Sequence, residues 1–380
     1  MALFDKAKRL WVIFDTSQYP AYYRDVHDLL AAPKGFVMRY QYREELLSTT
    51  AIDFALKNHP MPILFAYAQK NCKYERQQNK SVPLDDTAET LFVLTRLGKM
   101  VNVVRQGGKF YFDFQVEGYP DINGADKANQ ILQPLVKAAE VPWNKWVAIS
   151  DNIAALSELS KGTEEDNWRR IIEQLGQEPM QFSADAFWRL KGPFTKSGSP
   201  IKPKLRSVRE SQDVRRVRSE YRCPEKALWH SQLVSSTPRQ ITQARPEYSV
   251  EAKCVGSDKL KIIGSGVYAL RHYDEQPVEY TSGDMPPYQT EQVDLAFNTV
   301  PTTVNWTAGA KLDFRHSIRK SHVISTLGVL SGAVAVGLLA LGGSKLFEND
   351  ALNGAIIVVV GLLLLAASKY MLTGKIEFSK

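Results

Sequence analysis

Basic side chains crowd one stretch of the sequence, between residues 202 and 222, with few acids among them. Such a segment attracts anionic lipid headgroups at roughly 1 kcal/mol per basic residue near the surface, and nucleic-acid phosphates attract it as well. Its single aromatic residue, Tyr221, disfavours stacking on single-stranded bases. A solvated linker without a partner is the alternative interpretation. The candidates for an anionic partner are Lys202, Lys204, Arg206, Arg209, Arg215, Arg216, Arg218 and Arg222.

One histidine stands beside acids, which is the pattern of a general base held by a carboxylate. His272 is followed closely by Asp274 and Glu275, and a carboxylate can orient an imidazole for proton transfer. A surface histidine at a strand end fits the same pattern. Cys72, next to Lys73, is a candidate nucleophile because a neighbouring ammonium favours the thiolate. The sequence offers that thiol no identifiable histidine partner.

The acidic and histidine residues show no metal-ligand spacing. Asp85 and Asp86 supply carboxylate oxygens that suit a cation, but their position before a strand also suits a polar turn. No two of the six histidines share ligand spacing within a segment, and no CxxC pair exists. The sequence therefore predicts no metal site and no cofactor, and it leaves any catalytic residue unknown.

Composition favours an anionic partner and a reducing compartment. The formal net charge is +7 and the pI is about 9.1, an excess that favours acidic lipid or nucleic acid. The cysteines Cys72, Cys223 and Cys254 are far apart and odd in number, so we expect no disulfide framework. The first residues mix charged with apolar side chains and lack the apolar core of a signal peptide.

Two uncharged apolar stretches near the end of the sequence predict a transmembrane hairpin. They comprise residues 323–343 and 351–368, separated only by residues 344–350. At 1.5 Å per residue, each is long enough to cross a hydrocarbon core of about 30 Å. A hairpin buried in a soluble core is the alternative, and two uncharged runs this long disfavour it.

Basic residues flank the hairpin at its two outer ends, whereas the short linker carries only Lys345 beside Glu348 and Asp350. The positive-inside rule then places both termini and the soluble region in the cytoplasm. The expected partner is a lipid bilayer with anionic headgroups. The candidates for the membrane interface are Arg315, Arg319, Lys320, Lys369 and Tyr370.

Glycines in the first span indicate close helix packing. Gly328 and Gly332 form a GxxxG pair, and Gly337 follows. Small residues let helix backbones approach closely. They serve either self-association into a homo-oligomer or packing against the second span of the same hairpin. The spans contain no Asp, Glu, Lys or Arg, which argues against an ion relay.

Residues 1–190 predict an α+β cytosolic domain. Helical periodicity occurs at 2–14, 21–32, 46–57 and 164–175, the last with Thr163 as N-cap, and at 125–138 and 152–159. Short strands are predicted at 36–42 and 61–67. The clearest β pattern is an antiparallel meander of residues 90–96, 100–105 and 110–116, with turns at Gly98 and at Gly107-Gly108.

The remaining sequence divides into three parts. Residues 191–222 predict a basic linker that contains prolines and glycines. Residues 223–314 predict a smaller β-rich cytosolic domain, with strands at 227–234, 248–255, 260–270 and 293–300. Residues 315–380 form a juxtamembrane segment and the hairpin. The predicted fold class is therefore an α+β N-terminal domain, a β-rich domain and a C-terminal two-helix transmembrane hairpin.

Two functional hypotheses follow. The first is a membrane-anchored, non-enzymatic protein whose cytosolic part senses or binds a partner, while the hairpin anchors it, oligomerises or perturbs the membrane as a toxin or defence effector does. Its partner is another protein or a second copy of the chain, with nucleic acid left open. The alternative is a membrane-tethered enzyme acting on nucleic acid or lipid, with His272, Asp274 and Glu275 or Asp85 and Asp86 in a concave cluster.

Overall fold

The computed structural model describes most of the chain. The described residues are 10–16, 20–47, 49–78, 80–121, 132, 147–150, 159, 161–177, 187–204, 219–236, 248–271, 274–300, 311–348 and 351–373. The predicted helices at 125–138 and 152–159 fall almost wholly outside them.

A six-stranded mixed sheet forms the base of the N-terminal part. Its strands are β1 (Leu10–Thr16), β2 (Val37–Arg43), β3 (Met61–Lys70), β6 (Thr90–Gln106), β7 (Lys109–Val116) and β8 (Val147–Ser150). They lie in the order β2-β7-β6-β3-β1-β8. Only β1 and β3 pair in parallel. A separate small hairpin pairs β4 (Tyr74–Gln77) with β5 (Lys80–Pro83).

Among the described residues, three helices accompany this sheet: α1 (Pro20–Ala31), α2 (Thr49–Asn58) and α3 (Glu164–Gln177), with one 3-10 turn at Glu44–Leu46. The predicted N-cap of α3 is present, because the backbone N–H of Asp166 donates to Thr163 Oγ1 at 3.2 Å. Apolar residues of α1 and α3, such as Leu30 and Trp168, share one buried cluster with Tyr67 of β3.

The prediction of a helix at 2–14 was wrong for its described part. Residues Leu10–Thr16 form β1, where Trp11, Val12 and Ile13 are fully buried. A strand that is buried on both faces reads as a continuous apolar run, and such a run does not distinguish a strand from a helix. Pairing with β3 decides the conformation.

The predicted turn at Gly98 was also wrong, since β6 runs through it as one strand. A Cβ at Gly98 would lie 3.0 Å from Phe65 Cε2 and 3.3 Å from the Gln115 carbonyl oxygen. Close packing, rather than a turn, therefore requires glycine here. The turn at Gly107 and Gly108 is confirmed, with φ of 58° and 71°.

Two further sheets face each other in the β-rich part. One contains β10 (Pro203–Lys204), β11 (Glu220–Pro224), β18 (Lys311–Arg319), β17 (Thr290–Val300), β13 (Tyr248–Val255) and β15 (Val267–Leu270), in that order. The other contains β14 (Leu260–Ile262), β16 (Glu275–Ser282), β12 (Leu228–Ser236) and β9 (Phe187–Thr195). The predicted strand at 260–270 is therefore two strands, which lie in opposite sheets.

These sheets take in residues on both sides of the predicted 223–314 range. At one end, β9 and β10 come from the stretch predicted to be a linker, and β9 pairs with β12. At the other end, β18 continues to Arg319 and pairs with β17 and with β11. Sequence reasoning missed these strands because single prolines and charges in them resemble loop composition.

The two soluble parts share one core. The rings of Phe36 and Phe314 meet edge to face with centroids 5.3 Å apart. The Val37 backbone N–H donates to Ser219 Oγ at 2.7 Å, and the Lys311 N–H donates to Asp28 Oδ1 at 3.2 Å. These two hydrogen bonds satisfy the Val37 N–H and Asp28 Oδ1 across the boundary.

Candidate functional site

Two long apolar helices end the described chain: α4 (His322–Phe347) and α5 (Ala351–Thr373). Both are long and apolar enough to cross a membrane, and 17% of the apolar window of each is buried. Large side chains such as Leu330, Leu341 and Leu363 are more than half exposed. A helix in a soluble core would bury such residues, so the exposure fits contact with lipid.

Glycines hold α4 and α5 close together. A Cβ at Gly328 would lie 2.8 Å from Leu372, and one at Gly342 would lie 3.0 Å from the Gly354 carbonyl oxygen. Ser368 Oγ donates to the Gly328 carbonyl at 2.6 Å across this interface. Two helix-packing candidates, Gly328 and Gly332, contact α5, whereas a Cβ at Gly337 would meet nothing within 4 Å.

A buried lysine connects the hairpin to the β-rich part through an ion pair and a hydrogen bond. Lys320, at the end of β18, is 3% exposed and its Nζ lies 3.2 Å from Glu225 Oε1. The same ammonium donates to the Leu372 carbonyl oxygen at 2.7 Å. Carbonyls in the last turn of a helix lack an intrahelical donor and attract cations. Lys320 therefore ties the end of α5 to the turn between β11 and β12.

An aromatic contact supports the other helix at the same end. The hydroxyl of Tyr288, in the turn before β17, forms a hydrogen bond of 3.2 Å with Thr326 Oγ1 in α4. Its ring stacks on His322 with centroids 6.2 Å apart. Tyr288 is 51% exposed, and amphipathic rings favour the membrane–water interface. Both outer ends of the hairpin are thus held by the soluble part.

The predicted interface residues fall into three groups. Lys369 and Tyr370 lie exposed in the last turns of α5. Arg315 and Arg319 belong to β18, and the Arg315 guanidinium contacts Asp294 at 3.0 Å. Hydrogen bonding to that carboxylate raises the pKa of Arg315. Lys320 is buried in the ion pair described above rather than exposed at a headgroup surface.

The basic segment is described only at its ends. Lys202, Lys204 in β10 and Arg222 in β11 are all exposed. Pairing of β10 with β11 brings Lys204 opposite Glu220. Arg206, Arg209, Arg215, Arg216 and Arg218 lie outside the described residues.

The acidic candidates lie in structured turns. Asp85 Oδ1 accepts from the Thr87 N–H at 2.8 Å and from the Thr87 hydroxyl at 2.6 Å, which lowers the pKa of Asp85. Asp274 Oδ2 accepts from the Arg271 N–H at 2.9 Å. His272 lies outside the described residues. Within the described ranges, no group of three or more His, Cys, Asp or Glu side chains could hold a metal ion.

His316 stands six positions before the first apolar helix, where a site at lipid headgroups would be expected, but it lies in the protein core. It is fully buried in β18, with the rings of Tyr221 and Tyr280 at 5.7 Å and 5.4 Å. Burial lowers the pKa of His316 to about 4. The imidazole is therefore neutral at physiological pH.

Sequence reasoning missed the acceptor of Lys320 and the role of Tyr288. Glu225 precedes Lys320 by 95 positions, a separation that no periodicity links. Only one signal was available: Lys320 directly precedes the first apolar span, where a lysine is able to cap a neighbouring helix.

Comparisons with known proteins identify no relative. No protein-family model and no curated protein matches this chain. Among solved structures, the chain is similar to the E. coli chaperone DraB (9% identity, 27% of this chain and 53% of that chain, TM-score 0.20). It is also similar to WR4, a C. elegans MSP family member (9% identity, 27% of this chain and 92% of that chain, TM-score 0.19). TM-scores this low support no conclusion about fold or function.

Proposed function

We propose that this protein is a membrane-anchored sensing or interaction protein, with its soluble region in the cytoplasm and its C-terminal hairpin in the bilayer. One observation carries the proposal: α4 and α5 are uncharged through their centres and expose large apolar side chains. In water this exposed surface would cost roughly 25 cal/mol per Å². A bilayer removes that cost.

Attachment of the hairpin to the β-rich part supports a role in transmission as well as anchoring. Lys320 and Tyr288 contact α5 and α4 respectively. A change in the soluble part would therefore act on both helices directly. The binding partner is a protein, a second copy of the chain or a small ligand; the nucleic-acid and oligomer predictions stay predictions.

Membrane extraction tests the anchoring. The full chain should remain in the pellet after alkaline carbonate washing and be released by detergent. A variant lacking residues 321–380 should appear in the soluble fraction. Release of the full chain by carbonate, with the chain still folded, would overturn the proposal.

Thiol labelling in intact cells tests the orientation. Glu348 is exposed in the loop between the helices, and Cys72 is partly exposed in the soluble region. An impermeant maleimide should label Glu348→Cys in intact cells and reach Cys72 only after lysis. The positive-inside bias supports this orientation, and labelling of Cys72 from outside would contradict it.

The effector form of the proposal is that the hairpin also perturbs the bilayer. It predicts dye leakage from cells that overexpress the full chain and none from cells that express the variant lacking residues 321–380. A pore-forming protein expressed to the same level in the membrane serves as the positive control. If the full chain at that level causes no dye leakage, this form of the proposal is ruled out.

A further inference from the structure

A cavity of about 530 Å³ lies where the two soluble parts meet. Its walls come from the loop after α1, from β6, from the start of α3 and from the segment joining β9 to β10. A volume of this size lies within the range of small-molecule sites, which often occupy domain boundaries.

A buried arginine lines this cavity, and no carboxylate of the described residues lies in ion-pair contact with it. Arg96 is 1% exposed and its guanidinium lies over the Tyr119 ring at 3.6 Å. It donates to the backbone carbonyls of Glu117 at 3.2 Å and Leu30 at 3.3 Å, and forms no ion pair within the described ranges. Burial lowers the pKa of Arg96. The Glu164 carboxylate in the cavity wall also interacts favourably with the guanidinium. A buried cation compensated by so few groups favours a further nearby anion.

A second buried arginine lines the same cavity. Arg189 is 4% exposed, hydrogen-bonds Glu165 through Nη2 and lies 4.5 Å over the Trp168 ring. Its Nε is buried and has no hydrogen-bond partner among the residues that the structure describes. Leaving a buried charged donor unsatisfied costs more than a typical hydrogen bond contributes. An acceptor brought by a ligand would remove that cost.

The charges around the cavity leave a positive excess. Five cations and two carboxylates line it: Lys34, Arg96, Arg189, Lys191 and Lys202, with Glu164 and Glu165. Lys34 and Lys191 also contact acids beside the cavity, Glu117 at 3.9 Å and Glu275 at 3.2 Å. Glu165 is already shared among Arg189, Lys191 and Arg169. Arg96 and Lys202 remain without a carboxylate among the described ion pairs.

The remaining wall is apolar and partly flat. It includes Pro33, Leu190, Phe194 and Ile201. A wholly ionic ligand would leave these groups facing water, whereas a ligand with an anionic end and an apolar or planar body would cover them. Arginine suits phosphate because its planar fork donates to two oxygens at once.

We propose that this cavity binds a small molecule that carries a phosphate group, held by Arg96, Arg189 and Lys202, with its apolar or planar part against Phe194 and the prolines. The inference supplies a ligand class for the sensing role proposed above. It rests on that proposal only for the consequence of binding, since binding itself involves no membrane span.

Titration calorimetry on the full chain in detergent tests the site with three probes: inorganic pyrophosphate, adenosine monophosphate and a short-chain phosphatidic acid. We expect saturable binding of at least one probe that weakens as salt is raised. Preference for adenosine monophosphate would indicate a soluble phosphate ester, and preference for phosphatidic acid would indicate a lipid headgroup. No binding of any probe at millimolar concentration would overturn the proposal.

Three variants assign the binding to the cavity. Lys202→Gln changes an exposed side chain of the cavity lining and should weaken binding roughly tenfold, the effect of losing one charged hydrogen bond. Arg189→Lys keeps the charge but removes the fork and should weaken binding by a similar factor. Lys196→Gln changes an exposed lysine of the same segment outside the lining and should bind normally. If Lys196→Gln lost as much affinity as Lys202→Gln, the probe would be bound by the general basic surface, and the proposed site would be refuted.

The cavity and the membrane anchoring can fail separately. If the chain bound a probe but was released from membranes by carbonate, only the anchoring would be refuted.

Discussion

Lys320 Nζ donates to the carbonyl oxygen of Leu372 at 2.7 Å, across 52 positions of sequence. The same ammonium is 3.2 Å from Glu225 Oε1. One buried cation thus closes the base of the hairpin and joins it to the β-rich part. A terminal helix carbonyl and a carboxylate both lose hydration when buried, and the shared ammonium compensates both.

Lys320→Met should destabilise the protein strongly. It removes the buried ammonium from the Leu372 carbonyl and from the partly buried Glu225 carboxylate, which keeps the Met285 N–H at 3.0 Å. Breaking one side of a buried pair costs about 3 kcal/mol or more. Thermal unfolding in detergent measures this change. The matched control is Lys226→Met, which breaks the Lys226–Asp284 pair at 2.9 Å with both side chains more than 40% exposed. We expect a loss of no more than about 1 kcal/mol there, and equal losses would contradict the assigned role of Lys320.

Gly342→Ala should separate α4 from α5, whereas Gly337→Ala should not. The Cβ at residue 342 would lie 3.0 Å from the Gly354 carbonyl oxygen and 3.0 Å from the Val358 nitrogen, and backbone atoms cannot rotate away. Overpacking of this kind costs roughly 1–3 kcal/mol. Thermal unfolding in detergent measures the loss of stability in both variants. An equal loss in Gly337→Ala would contradict the packing assigned to Gly342.

Stability should fall as pH drops, because of His316. Its pKa is about 4 in the folded chain against an ordinary 6.5, so the unfolded chain binds a proton that the folded chain does not. The contribution of the neutral, buried His316 to the free energy of unfolding is fully present above pH 6.5. It is lost as the pH falls from 6.5 to 4, by about 3 kcal/mol in total. Denaturant unfolding at several pH values measures the slope. His316→Gln should flatten it, whereas His230→Gln, on a partly buried ring beside Phe194, should keep it.

The three cysteines should react with thiol reagents in a set order. Cys72 is partly exposed, whereas burial raises the pKa of Cys254 to about 11 and raises the pKa of Cys223 further. Because the thiolate is the reacting species, a maleimide should modify Cys72 first, Cys254 slowly and Cys223 only after unfolding. Mass spectrometry of timed samples identifies the sites. Early modification of Cys223 in the folded chain would contradict its burial.

Local patterns that one segment carries by itself were predicted from the sequence. The two apolar spans appear as α4 and α5, the glycine pair at 107 and 108 forms the tight turn, and Thr163 caps α3. Each depends on neighbouring residues alone, through side-chain hydropathy, backbone freedom or a short hydrogen bond.

Features that join distant segments were decided only by the tertiary structure. The 10–16 run becomes a strand because β3 lies beside it, and Gly98 continues a strand because Phe65 packs against it. Arg96 and Arg189 meet at one cavity, and Lys320 meets Glu225 and Leu372, although long stretches of sequence separate them. Periodicity reports which face of a segment is apolar. It carries no information about which distant charge or backbone will cover that face, because that depends on how all the elements pack together.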